Sequence, residues 1–130
     1  MGKGEQLDKA HSVSQASRVN LPELLSRVDN DRELLLDLLT IFKEEFPRLL
    51  QTLHDAVALQ DMKQTSVVSH TLKGMLLNMA IPRAATAAAL LERLAQEETK
   101  TSVPEAFAAF EMEVQGLLPE MESCMGEVAR

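Results

Sequence analysis

Residues 61–79 read Asp61-Met62-Lys63-Gln64-Thr65-Ser66-Val67-Val68-Ser69-His70-Thr71-Leu72-Lys73-Gly74-Met75-Leu76-Leu77-Asn78-Met79. Asp61 followed three residues later by Gln64 is a helix-start pair, an oxygen that accepts from the first free amides and a partner that reaches back. The spacing predicts a helix from Asp61 to about Met79. At about 100° per residue, Val68, Leu72, Met75 and Met79 fall within about 40° of the pole opposite His70, an apolar stripe for a core. Lys63, Ser66, Val67, Lys73, Gly74 and Leu77 lie within about 60° of His70 itself. The histidine therefore points away from the core.

The same punctuation repeats outward. Asn20 with Glu23 opens a short helix over Leu21–Val28, and Pro22 fits its first turn. Asn30 with Glu33 follows the Asp29-Asn30-Asp31 turn and opens a long helix. That helix carries Leu35, Leu38, Leu39, Phe42, Phe46, Leu49, Leu50, Leu53 and Val57 at helical spacing, with a bend expected at Pro47. Pro82 leads a helix over Arg83–Gln96, whose Ala84, Ala85, Ala87, Ala88 and Ala89 allow a neighbour to approach closely. Glu97–Thr101 reads as a charged loop. Ser102 with Glu105 opens a last helix that Gly116 and Pro119 kink or divide. No segment alternates like a strand. Long amphipathic helices on short loops predict an all-α, antiparallel up-down four-helix bundle over residues 20–130, with one short extra helix at its start. Residues 1–19, polar and dotted with serine, read as a mobile tail.

Composition closes several alternatives. The chain has 130 residues, enough for one self-sufficient core. Twenty acidic residues against 13 basic ones leave a net charge of −7, with no Trp or Tyr and four Phe. Such a surface repels phosphate backbones and offers few rings for stacking, so nucleic acid is not an expected ligand. Cys124 is the only cysteine, so no internal disulfide forms, and its small side chain reads as packing. No apolar run approaches the roughly 20 residues that cross a bilayer, and Met1-Gly2-Lys3-Gly4-Glu5-Gln6 lacks a signal peptide's apolar stretch. No membrane association and a cytoplasmic location are expected. One bundle accounts for the apolar stripes, so a monomer is expected too.

An outward histidine on a helix is ordinarily just solvated; Gly74 makes this one different. A mid-helix glycine costs about 1 kcal/mol relative to alanine. One turn beyond His70 on the same face, it removes the side chain that would crowd the imidazole. Lys73 adds a flexible cation nearby, worth about 0–1 kcal/mol when exposed, so it tunes a chemistry rather than creating one. Val67 and Leu77 are apolar on an otherwise wet face, either packed under a neighbouring helix or free as dry anchors for a docking protein. His11 and His54 read as solvated or packed, and Glu44-Glu45 and Glu97-Glu98 as solvated charge. Gly2 and Gly4 are too few and too terminal for a nucleotide loop.

The run Ser69-His70-Thr71-Leu72-Lys73-Gly74, with Asn78 and Met79 beyond it, resembles the H-x-L-K-G signature of histidine-containing phosphotransfer (HPt) domains. The similarity extends through residues 31–94, where Leu91-Glu92 fits the pattern of the fourth helix. The sequence departs from the family in having Ala80 where Gly is common, and Met75 and Leu77 where small residues are common.

The resemblance implies that His70 accepts a phosphoryl group from a receiver-domain aspartate or a histidine kinase and hands it to another receiver. Imidazoles titrate ordinarily near pH 6.5, so at neutral pH most offer a free nitrogen for attack on phosphorus. In that reading Lys73 stabilises the added charge and Gly74 leaves clearance. Lys63, Ser66, Val67, Leu77 and Asn78 contact the partner, a receiver domain of a response regulator or a hybrid histidine kinase. The chain itself acts as a phosphocarrier, not an enzyme, with no cofactor of its own; the metal ion is expected on the receiver. Three other readings stay open: a non-phosphorylated interaction module docking through Val67 and Leu77, a phosphotransfer domain cut from a kinase (the chemotaxis type included) that accepts phosphate directly from an ATP-bound catalytic domain, and, more remotely, a metal- or haem-binding bundle.

Overall fold

The computed structural model describes residues 18–130, and among them every regular element is a helix. They are α1 (Leu21–Arg27), α2 (Arg32–Ala58), α3 (Met62–Asn78), α4 (Pro82–Gln96), α5 (Val103–Val114) and α6 (Leu117–Ala129). The expected tail falls mostly outside the described residues, as does His11. Its last two residues, Arg18 and Val19, are held by the bundle. Their backbone N–H groups donate to the Glu120 carboxylate at 2.9–3.0 Å, and Val19 is buried.

Side-chain caps start the first three helices. Asn20, Asp31 and Asp61 accept from the amides of Glu23, Leu34 and Gln64. The cap of α2 is thus Asp31, one residue after the expected Asn30. Asn30 instead adopts a left-handed conformation (φ 62°) after Asp29 (φ 53°), which closes α1. Ser102 makes no side-chain capping bond at the start of α5.

The ends of α2, α3 and α4 use one device without glycine. Gln60, Ala80 and Glu98 take φ of 59°, 59° and 56°. Their amides and those of the next residues return to carbonyls in the last helical turn, as in Ala80 N–H to Leu77 and Ile81 N–H to Leu76. Position 80 thus has a conformational reason to favour glycine, and Ala80 holds the turn at a cost.

Four long segments build the bundle. α3 packs most extensively against α4, α4 against α5, and α2 against α3 and α6. The last segment is divided, not merely kinked. Gln115 is extended and Gly116 takes φ 79°, so α5 covers α4 while α6 returns to α2. Only Gly116's left-handed φ needs the missing side chain; Pro119 fits the first turn of α6. Conversely, α2 runs on through Pro47 as one helix.

Leu35, Leu39, Phe46, Leu53, Leu72, Leu76, Leu91, Phe110, Leu117 and Met121 are almost fully buried in one core, and Phe42 stacks on Phe46 with ring centroids 4.8 Å apart. Met75 only packs against this core from a half-buried position, whereas Leu76 lies fully inside it. The inward direction of α3 is therefore rotated toward α4, its main neighbour. Leu38, part of the apolar run of α2, is exposed. Ala84, Ala85, Ala88 and Ala95 are buried on α4, consistent with the close approach their size allows. Among the described residues, no helix is long and apolar enough to cross a membrane.

Candidate functional site

α3 is held at both ends. Asp61 caps its start, and at its finish the Arg27 guanidinium donates to the carbonyls of Leu77 and Asn78, braced by Glu23. Between these anchors His70 stands outward, its side chain 67% exposed.

The ring is not free on every side. His70 Nδ1 lies 3.0 Å from Glu92 Oε2, and Lys73 Nζ donates to Glu92 Oε1 at 2.8 Å. Glu92 retains only 14% exposure, so one carboxylate in the α3–α4 interface bridges the histidine and the lysine. Partial burial pushes its carboxyl up, but the hydrogen bonds from Lys73 and His70, and their positive charge, outweigh it and hold the group below the ordinary carboxylate range. Glu92 is then ionised near neutral pH. An ionised carboxylate only accepts, which puts the hydrogen of the shared bond on Nδ1 and leaves the Nε2 lone pair open. Among the described residues Nε2 has no hydrogen-bond partner.

Lys73 departs from the expected loose cation, being tied across to α4. At Gly74, a Cβ would meet nothing within 4 Å apart from the helix's own backbone. Folding of this domain does not require that glycine. Val67 and Leu77 are 53% and 51% exposed, which rules out their packing under a neighbouring helix. Lys63 and Asn78 are exposed and Ser66 is half-buried, and these residues lie along the same side of α3.

Three more large apolar side chains, Leu34, Leu38 and Ile41, are exposed on α2. The Lys43–Glu122 ion pair at 2.6 Å turns one flank of α2 toward α6. Leu34, Leu38 and Ile41 project roughly 140–180° around the helix from Lys43, on the opposite flank.

Glu92 is the residue that sequence reasoning missed. It stood only as part of the fourth-helix pattern, because face arithmetic within one helix does not see across to the next. A signal existed: His70 and Glu92 stand eleven residues either side of Ile81, the turn of the α3–α4 hairpin. The other titratable groups stay apart from this site. His54 is exposed beside Asp55 and meets the Phe107 ring edgewise. Glu45 pairs with Arg48, and Glu97 lies 4.0 Å from Arg93. Cys124 is buried, and burial together with the charges of Glu120 and Glu127 pushes its thiol up, as suits a packing residue.

The Hpt domain family matches this chain over residues 37–123. The chain belongs to the Hpt domain family. Among solved structures, the fold is similar to that of histidine-containing phosphotransfer protein B (HptB) from Pseudomonas aeruginosa PAO1. The TM-score is 0.77 at 20% identity, with 86% of this chain and 97% of that one covered. The HPT domain of a sensor hybrid histidine kinase from Shewanella aligns at a TM-score of 0.49 and 19% identity, covering 86% of this chain and 91% of that one. No curated protein matches the sequence. Membership places the chain among the phosphocarriers of two-component phosphotransfer. In this Hpt domain, His70 stands outward on α3.

Proposed function

We propose that this Hpt domain carries a phosphoryl group on His70 Nε2, taken from the phosphorylated aspartate of a receiver domain and given to the aspartate of another. The observation that carries the reading is the pairing of an exposed Nε2 with an Nδ1 bound to Glu92.

Loading follows from that pairing. The Nε2 lone pair attacks phosphorus in line; the N–P bond forms as the bond to the aspartyl oxygen breaks, and the leaving carboxylate takes its electron pair. The ring gains positive charge while Nδ1 keeps its hydrogen on Glu92, so the step needs no proton transfer. Lys73, within reach of the same carboxylate, offsets the negative charge that arrives. Gly74 leaves room for the phosphoryl oxygens and the partner's loops. The metal ion that would stabilise the transferring group belongs to the receiver in this reading, and the chain contributes the nucleophile.

Lys63, Ser66, Val67, Leu77 and Asn78 form the contact face, which Leu34, Leu38 and Ile41 extend on α2. Exposed apolar side chains near a reacting group support docking of a protein rather than of a small metabolite. The domain works as a monomer in this account.

Incubation of the purified protein with a phosphorylated receiver should give acid-labile, base-stable phosphate on the domain. His70→Gln should abolish the uptake with helicity intact. Undiminished uptake by that variant overturns the proposal, and binding that ignores both His70 and phosphorylation assigns the face to a plain interaction module.

A further inference from the structure

We infer that Glu92 is a positioning residue for release: by holding the hydrogen on Nδ1, it keeps the phosphorylated His70 ring positively charged and so sets how readily the phosphoryl group leaves. This rests on the reading of His70 as the phosphoryl acceptor.

The leaving group decides the argument. When the Nε2–P bond breaks, its electron pair returns to Nε2. If Nδ1 still carries its hydrogen, that pair cancels the ring's charge and a neutral imidazole departs. If Nδ1 has lost it, the departing group is an imidazolate anion, a far stronger base and a poorer leaving group. In hydrolysis, the oxygen of water bonds to phosphorus, both water hydrogens end on dihydrogen phosphate, and Nδ1 keeps its own. In transfer, a receiver carboxylate oxygen takes the place of water. Neither route moves a proton on the carrier provided Nδ1 remains protonated.

The surroundings make Glu92 the group that holds this state. From α4 it is the acidic side chain against the ring, 3.0 Å away and largely buried. From α3 itself come two cations: Lys73, already bound to the other Glu92 oxygen, and the exposed Lys63 two turns away. Both oppose charge on the ring, Lys73 weakly because Glu92 compensates it. No α2 side chain forms a hydrogen bond or ion pair with His70 or Glu92 among the described residues. One carboxylate thus serves both Lys73 and the His70 ring.

Glu92→Gln separates charge from geometry, since an amide oxygen can still accept from Nδ1. The protein is loaded with phosphoramidate, which needs no receiver, and loss of phosphohistidine is followed by 31P NMR from neutral to alkaline pH. An opposite charge at this range ordinarily moves a protonation midpoint by about one to three pH units. The lability profile of Glu92→Gln should therefore move to lower pH, each unit lengthening the lifetime about tenfold at a fixed alkaline pH. Superimposable profiles overturn the inference while leaving the phosphocarrier reading intact.

A second measurement needs no variant. The 31P shift of the loaded wild-type chain is titrated folded and in denaturant, where Glu92 no longer faces the ring. A higher midpoint in the folded protein is expected; equal midpoints overturn the inference. Failure of His70 to accept phosphate from either phosphoramidate or a receiver overturns both readings.

Discussion

At the scale of the residue, His70 owes its character to one carboxylate and one missing side chain. The carboxyl of Glu92 lies below its ordinary value of 4.5, because contacts with Lys73 and His70 outweigh burial. A group depressed on folding stabilises the protein above its unfolded value and loses that contribution as pH falls through its folded one. Glu92→Gln should therefore lower stability at pH 7 by about 1 kcal/mol, and the gap to wild type should close as pH falls below about 4.5. Urea unfolding of both proteins across that interval checks the sign. Gly74 makes the opposite case: with open space around its Cβ position, Gly74→Ala should raise stability by about 1 kcal/mol, yet slow transfer from a receiver. A variant both more stable and equally fast would remove the clearance role. His70, Lys73 and Gly74 were legible because they share one helical face. Glu92 was not, because its part depends on how two helices face each other.

At the scale of the element, starts were written more plainly than ends. Asn20 and Asp61 stand where capping rules put them, and Asp31 lies one residue from the expected cap, since three polar residues in a row compete for one place. The left-handed turns after α2, α3 and α4 carry Gln60, Ala80 and Glu98, so glycine marks none of them. Ala80→Gly should relieve the strain of φ 59° and raise stability by about 1 kcal/mol, read as a higher Tm with the helix content unchanged. An unchanged or lower Tm would show that the lost chain freedom outweighs the strain. Only at Gly116 does glycine mark a break, and there the sequence left kink and division undecided. Division follows because α5 and α6 pack on different partners, which neither segment's own periodicity records.

At the scale of the whole molecule, the helical bundle was legible because every long segment carries its own apolar stripe. The exposure of Leu34, Leu38 and Ile41 was not, since an apolar residue beside a stripe looks the same in sequence whether a neighbouring helix covers it or not. Exposed apolar side chains thus stand on both α2 and α3, and Val67→Glu or Ile41→Glu should weaken transfer from a receiver about tenfold or more while leaving Tm and phosphoramidate loading unchanged. Equal loss with phosphoramidate would mean damage to the site itself rather than to docking. The account as a whole turns on which atom carries the phosphoryl group. Nitrogen-15 and phosphorus-31 NMR of the loaded protein should place it on His70 Nε2, with Nδ1 protonated; phosphate on Nδ1, or on any other residue, contradicts it.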